Sequence, residues 1–224
     1  MFAAEARWVA DTLWPHTPEE LSPLLNVGSS TRQFRQETQP WMDKLLFAPL
    51  AARGIDTVHL DFRRGDGIDL CVDLLDDDDF ARVDSQMGDR RYRSLMCCNI
   101  LEHVREPAKL ARRCVELVAP GGFIVVTVPR SYPRHGDPID TLYRPTPLEA
   151  AALFPETVVL ASTIIDVGES YRDEVRRRPL ILMRHVARLP VPFLNREKWR
   201  HSMRKLYWLA HNYEVTALLL RRKI

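Results

Sequence analysis

Short runs of apolar residues alternate along this chain with longer segments in which apolar residues recur every three or four positions. The short runs predict strands at 23–27, 56–62, 67–75, 92–99, 123–129, 157–166 and 213–223. The helical spacing predicts helices near the N-terminus and within 41–53, 76–88, 104–122 and 146–154. Regular alternation of this kind is typical of a mostly parallel sheet with helices on both faces.

The chain of 224 residues is compatible with one large α/β domain. We divide this single domain into a short amphipathic helix within 1–20, a core at 21–166, an insert at 167–211 and a last strand within 212–224. In such a sheet, ligands bind outside the carboxyl ends of the strands, where the strand order reverses. The residues that follow each strand are therefore the first candidates for a site.

The segment after the fourth strand carries the most specific pattern. The stretches "YRSLMCCNILEHVREP" and "LVAPGGFIVVTVP" resemble the class I S-adenosylmethionine-dependent methyltransferases, and most of all the small bacterial enzymes with an "LEHV" signature. The resemblance covers residues 20 to 165. It implies a doubly wound, Rossmann-like sheet of seven strands with the last strand antiparallel. It also implies S-adenosyl-L-methionine as the cofactor and methyl transfer as the activity.

The resemblance also implies which residues hold the cofactor. Gly28 permits close backbone approach to its amino-acid end, Asp61 accepts both ribose hydroxyls, and Asp73 with Leu74 contacts the adenine edge. The full expected set is Asn26, Gly28, Ser30, Thr31, Asp61, Asp73, Leu74 and Asn99.

The glycine loop departs from the family pattern. Asn26 stands at the usual first acid, and Ser30 and Arg32 stand where two further glycines are usual. Arg32 or Arg35 is then a candidate to pair with the cofactor carboxylate. The alternative is a noncatalytic methyltransferase-like module that binds a partner through its basic C-terminal segment.

For an acceptor hydroxyl, the expected general bases are His103 and His135, with Asp137 orienting one of them. Glu102 is expected to stabilise a helix N-terminus. The loop at 130–145 resembles that of methyltransferases encoded with bacterial surface-polysaccharide genes, which implies a sugar or lipid-linked saccharide acceptor. Some relatives hold a divalent metal with an E-x-x-E-H run, but Asn99 stands at its first acid here, so no metal is expected.

Charge is unevenly distributed although the net charge is only +2. Residues 172–211 hold eleven Lys/Arg and three Asp/Glu, whereas residues 1–171 sum to −8. In "NREKWRHSMRKLYWLAHN", aromatic and apolar residues share one helical face, and Arg200, Arg204 and Lys205 lie largely away from it. This pattern is consistent with peripheral contact with an anionic membrane. Packing on the sheet or on a second subunit, as in a homodimer, is the other interpretation. No nucleic-acid-binding motif accompanies the charge.

The four cysteines have no metal-ligand spacing, and they are expected to be reduced core residues. The N-terminus lacks the layout of a secretory signal. These features predict a cytoplasmic protein, with peripheral contact at the inner membrane face if the insert binds lipid.

Overall fold

The computed structural model describes residues 1–88, 90–135, 139–188, 193 and 195–224. Its seven-stranded sheet has the order β3-β2-β1-β4-β5-β7-β6. The strands β1 to β5 pair in parallel, and β7 pairs antiparallel with both β5 and β6. The predicted fold class is therefore confirmed. The strand bounds are β1 Leu24–Val27, β2 Thr57–Asp61, β3 Leu70–Cys71, β4 Tyr92–Cys98, β5 Val118–Ser131, β6 Thr157–Asp166 and β7 Glu214–Arg222.

Helices cover both faces of this sheet. The α-helices are α1 Ala3–Leu13, α2 Pro18–Leu21, α3 Pro40–Met42, α4 Ala48–Ala52, α5 Asp77–Met87, α6 Pro107–Leu117, α7 Pro147–Ala151, α8 Tyr171–Arg177, α9 Leu180–Arg188 and α10 Arg196–Lys205. Single 3₁₀ turns lie at Leu101–His103 and Leu206–Leu209, and π-helical turns lie at Phe34–Thr38 and Asp43–Phe47.

The core consists of two apolar layers, one on each face of the sheet. Neighbouring strand residues point to opposite faces, so Leu25 joins the layer that includes α6, and Leu24 joins the layer under α1 and α4. Because both faces are covered, the central strands are apolar at nearly every position.

Three elements differ from the sequence prediction. The third strand is reduced to Leu70–Cys71, which form two ladder pairs with Leu60 and Asp61 of β2. The predicted helix at 41–53 is a series of short α- and π-helical turns. The fifth strand starts at Val118, ahead of the Pro-Gly-Gly turn, since Val118 pairs with Tyr92. Cys71 is also exposed instead of buried.

The basic insert forms helices α8, α9 and α10 beside the end of the sheet. Tyr171 and His185 are hydrogen bonded at 2.7 Å, and the other ring nitrogen of His185 lies 2.5 Å from Ser202 Oγ. Trp208 Nε1 donates to Ser131 Oγ at 3.1 Å, which ties the insert to β5. Among the described residues, no helix combines the length and apolarity needed to cross a membrane.

The exposed apolar face of the insert is not where the sequence predicted it. Trp199 and Trp208 are partly buried, whereas α9 exposes most of its apolar side chains. These are Leu180, Leu182, Met183 and Val186. Exposed arginines lie on and beside the same helix, at 176–178, 184 and 188.

Candidate functional site

The loop after β1 turns sharply at Gly28. Its φ of +66° lies in the left-handed region, and a Cβ at this position would lie 2.6 Å from Ile100 Cδ1. Ser30 also has a positive φ, of 54°, without being glycine. The backbone of this loop consequently lies close to the residues that follow β4, and a side chain at position 28 would collide with them.

Asp61 closes the other side of the same loop. One of its carboxylate oxygens accepts the Ser30 amide at 2.9 Å, and the other accepts the Arg63 amide at 3.0 Å. A carboxylate has room for about four hydrogen bonds. Asp61 is therefore held in place by the backbone, lines the larger cavity described below and retains acceptor capacity.

Arg35 has a structural role that differs from the predicted one. Its guanidinium donates to the carbonyl oxygens of Ser29 at 3.0 Å, Ser30 at 2.6 Å and Gly67 at 2.8 Å, and only 5% of the residue is exposed. It clamps the loop after β1 onto the loop before β3. Arg32 instead lies at the surface, where it faces Asp66 at 3.6 Å. Three of the five Arg35 donors are used by these carbonyls, and the pairing of Arg35 or Arg32 with a cofactor carboxylate stays a prediction.

Asn26 lies within β1, where it is buried. Its side-chain amide lies 3.1 Å from Nδ1 of His59 on β2. Burial, together with the neighbouring Arg35 charge, lowers the pKa of His59 to about 4. His59 is therefore neutral at pH 7, and it pairs with the Asn26 amide.

Two cavities open at the carboxyl ends of the strands. The larger, of about 780 Å³, lies over β1 to β4. Its lining includes Gly28, Ser30, Thr31, Asp61, Asp73, Leu74, Asn99, Ile100 and His103. The smaller, of about 420 Å³, continues from Gly28 and Asn99 toward the end of β5. Its lining includes Asn26, Glu102, His103, Tyr132 and His135.

Asp73 and Leu74 lie at the far end of the larger cavity. The Asp73 carboxylate accepts the Leu75 amide at 2.9 Å, and the Asp73 amide donates to Asp79 at 3.0 Å. Leu74 is buried. The carboxylates that follow form the start of α5, where Asp76 accepts the amides of Asp78 and Asp79 and caps the helix.

Asn99 joins the two cavities and is held by a residue that the sequence analysis missed. It has a left-handed φ of 54°, and its side chain donates to Glu5 of α1 at 2.6 Å. The same Glu5 oxygen accepts from Thr127 at 2.5 Å. The available signal for this contact was the position of Glu5 on the apolar face of the first helix. A carboxylate that is buried there needs a hydrogen-bond partner.

Glu102 and His103 lie on the 3₁₀ turn after β4. The Glu102 side chain is fully buried, and neither of its oxygens has a hydrogen-bond partner among the described residues. Burial raises the pKa of this carboxyl to about 8. Glu102 is thus not the solvated helix-starting charge that the sequence suggested.

His103 and His135 face each other across the mouth of the smaller cavity. Their Nε2 atoms are 3.3 Å apart. The other nitrogen of His103, Nδ1, is hydrogen bonded to the Ile139 carbonyl. Burial lowers the pKa of His135, although the nearby Asp140 carboxylate opposes this. Both predicted bases therefore lie at one place in the structure.

Asp140 is the carboxylate that accompanies His135 among the described residues. It accepts the His135 amide at 3.0 Å and two hydrogen bonds from the Arg144 guanidinium, at 2.7 and 3.1 Å. Burial opposes its ionisation, but these hydrogen bonds hold the pKa of Asp140 below its usual value. Asp137, predicted to orient a histidine, lies outside the described residues. The roles of all these side chains in binding and catalysis stay predictions.

Comparison with known proteins supports the fold. No protein-family model and no curated protein matches the chain. A candidate sarcosine dimethylglycine methyltransferase from Galdieria sulphuraria superposes with a TM-score of 0.53 at 13% identity, over 98% of this chain and 85% of the other. This likeness shows that the chain has the Rossmann-like fold of class I methyltransferases.

Two more distant structures have similar coverage. Coclaurine N-methyltransferase, solved with N-methylheliamine and SAH, has a TM-score of 0.46 at 11% identity, over 97% of this chain and 72% of its own. The Burkholderia thailandensis 1,6-didemethyltoxoflavin-N1-methyltransferase, solved with bound 1,6-didemethyltoxoflavin and S-adenosylhomocysteine, has a TM-score of 0.46 at 12% identity, over 99% of this chain and 79% of its own. At these scores the two likenesses support no functional conclusion.

Proposed function

We propose that this protein is an S-adenosylmethionine-dependent methyltransferase. The observation that carries the proposal is the larger cavity, which is bordered by the sharp turn at Gly28 and by the Asp61 carboxylate. Asp61 has acceptor capacity for a ribose, and Asp73 with Leu74 would meet the adenine. The amino-acid end of the cofactor would lie near Gly28 and Asn99, between the two cavities.

Calorimetric titration with S-adenosylmethionine and with its demethylated product tests this proposal. Asp61→Asn is expected to weaken binding about 10- to 100-fold, which corresponds to losing a hydrogen bond to a charged group of about 1.5–3 kcal/mol. Asp66→Asn is the matched control, because this exposed carboxylate lies at the surface 3.6 Å from Arg32. Absence of heat and of any thermal shift in the wild-type protein would contradict the proposal.

The acceptor we propose is a hydroxyl of a sugar or of a lipid-linked saccharide. In the transfer, the hydroxyl oxygen forms a bond to the methyl carbon as the bond from carbon to the sulfonium breaks, and the hydroxyl proton passes to a base. A hydroxyl benefits from such a base, and His103 with His135 borders the smaller cavity next to Asn99. Replacing the responsible histidine with Ala should lower turnover about 10²–10⁴-fold while cofactor affinity is kept. Undiminished turnover in both single variants and in the double variant would exclude these bases.

We further propose that the protein is cytoplasmic and that the insert attaches it to the inner membrane face. The support is the exposed apolar face of α9, with Leu180 and Met183 at 68% and 66% exposure beside exposed arginines. Charge attracts the helix to anionic lipid, and the apolar side chains add a component that salt does not screen. Sedimentation with vesicles should show binding that rises with anionic lipid and falls with salt.

A variant pair locates the contact within the insert. Leu180→Ser with Met183→Ser should abolish vesicle binding, whereas Trp199→Ser should affect it less because Trp199 is half-buried. Equal binding of the wild-type protein to neutral and anionic vesicles, or binding to neither, would overturn the membrane proposal. A dimer in sedimentation equilibrium that the double variant dissociates would instead identify this face as a homodimer contact.

The second candidate function is a noncatalytic module that binds its partner through the same insert. The observation that favours it is the single glycine of the loop after β1, where Ser30 and Arg32 stand in place of two further glycines. The cofactor titration distinguishes the two, since a noncatalytic module has no requirement for the cofactor.

A further inference from the structure

The carboxylate of Glu102 is unusual because it is buried without a hydrogen-bond partner among the residues that the structure describes. The residue has no exposed surface, and among the described residues neither carboxylate oxygen accepts a hydrogen bond. Burying a carboxylate without a partner is costly, so such groups are normally protonated, paired or bound to a metal. Its nearest basic neighbour is His103, whose Nε2 lies 3.6 Å from Oε1. That distance is too long for a hydrogen bond.

The hydrogen bond of His103 determines which nitrogen is free. Nδ1 faces the carbonyl oxygen of Ile139, which only accepts, so the proton of the neutral ring lies on Nδ1. The lone pair then lies on Nε2, which points toward Glu102 and His135. A backbone carbonyl on the far nitrogen is the usual outer contact of a metal-binding histidine.

His135 is arranged in a similar way. Its Nδ1 lies 3.1 Å from Oδ2 of Asp140, although the angle falls short of a hydrogen bond. The ionised Asp140, held by Arg144, nevertheless favours the proton on Nδ1 and leaves the lone pair on Nε2. The Nε2 atoms of the two histidines are 3.3 Å apart. Two lone pairs at this distance repel each other unless a shared proton or a metal ion lies between them.

We infer that Glu102, His103 and His135 form a binding site for a divalent transition metal of the zinc type. One ligand atom from each residue lies within 4.8 Å of the other two. For metal–ligand bonds of about 2.0–2.2 Å, the edges of a tetrahedron measure about 3.3–3.6 Å. Two edges already have that length, and a small movement of one side chain would close the third.

The donor set indicates the class of metal. Two imidazoles and one carboxylate suit Zn²⁺ and similar ions, whereas Mg²⁺ prefers oxygen ligands. Three protein ligands leave a fourth position for water or for another oxygen ligand. All three residues line the smaller cavity, so this position is open to whatever occupies it. The set also differs from an E-x-x-E-H run, because Asn99 binds Glu5 and His135 supplies the third ligand.

The inference does not depend on methyl transfer, and its test uses no cofactor. A histidine whose Nε2 binds the metal is not available as the base proposed above, so the metal-bound state and the histidine base are alternatives at this site. The full-length protein is freed of metal with a chelator and titrated with Zn²⁺ by calorimetry and with Co²⁺ by visible absorption. One equivalent of each should bind, and Co²⁺ should give the intense absorption of a tetrahedral site. Glu102→Gln and His135→Ala should each weaken Zn²⁺ binding at least tenfold, since loss of even an outer contact costs about 10- to 100-fold.

His211→Gln is the matched control, because this exposed histidine is hydrogen bonded to the Tyr207 carbonyl oxygen and is not part of the cluster. It should bind Zn²⁺ like the wild-type protein. Glu102→Gln should fold at least as stably as the metal-free wild-type protein, because it removes an unpartnered buried carboxylate. Wild-type affinity in both ligand variants, or no binding of either metal to the wild-type protein, would overturn the inference.

Discussion

The Arg35 clamp gives the sharpest test of how the loop after β1 is held. Arg35→Met keeps an unbranched apolar stem and removes the guanidinium. Three carbonyl oxygens lose their donor, those of Ser29, Ser30 and Gly67. These carbonyls belong to the two loops that border the larger cavity, so the variant tests stability and ligand binding together.

The expected loss follows from the contacts. A hydrogen bond to a charged donor contributes about 1.5–3 kcal/mol, and the three bonds share one side chain, so they do not add. Burying the guanidinium also carries a cost that the variant removes. We expect the free energy of unfolding to fall by about 3–5 kcal/mol. For a domain of this size that lowers Tm by roughly 10 °C.

Denaturant unfolding followed by circular dichroism measures this change, and calorimetry measures cofactor binding in parallel. Arg32→Met is the matched control, because its 3.6 Å contact with Asp66 is exposed and should be worth less than about 1 kcal/mol. If Arg35→Met and Arg32→Met were destabilised equally, the loop carbonyls would not depend on the clamp and the reasoning would be refuted.

Three further predictions concern single residues. Gly28→Ala should weaken cofactor binding at least about tenfold, because φ is positive and Ile100 occupies the space of the added Cβ. Gly54→Ala is the control: its φ is +79°, the space around it is open, and cofactor binding should be unchanged. Glu5→Ala should lower the free energy of unfolding, measured with denaturant, by about 2–4 kcal/mol, because Asn99 and Thr127 lose their acceptor. Glu5→Gln should lower it by less, and equal losses in the two variants would contradict this prediction. His59 has a pKa lowered to about 4, so its stabilising effect is present above about pH 6.5 and is lost as the pH falls toward 4. Between pH 7 and 5 the wild-type protein should lose about 1–2 kcal/mol more than His59→Gln, after allowance for partial exposure; parallel curves would exclude this role.

The sequence predicts the central strands well because they are buried on both faces, and it also predicts the largely exposed β6, which is rich in β-branched and apolar residues. The sixth strand was predicted at 157–166, and the structure has it at Thr157–Asp166. Asp76 likewise starts a helix as expected. The π-helical turns before β2 were missed because they share the apolar spacing of an ordinary helix. The spacing indicates a buried face without fixing the hydrogen-bond ladder.

Residues of the candidate site at the end of a strand could be predicted from the sequence. Contacts between segments far apart in the chain could not. Gly28, Asp61 and Asn99 follow strands, so their place at the cavities follows from topology. The partnership of Glu5 with Asn99 joins residues far apart in the chain, and no local pattern reports it. The sequence also could not reveal that Arg35 turns inward, since an arginine in a loop is usually solvated.

The position of β7 between β5 and β6 affects how the chain assembles. The segment 167–213 separates β6 from its partner, so during synthesis β6 has no strand to pair with, and the apolar edge of β5 stays open until β7 arrives. Open edges of this kind recruit strands from other chains. The β7 of a second copy fits the same position between β5 and β6, so strand-exchanged dimers are the expected by-product of rapid expression. Slower synthesis at low temperature should raise the yield of monomer.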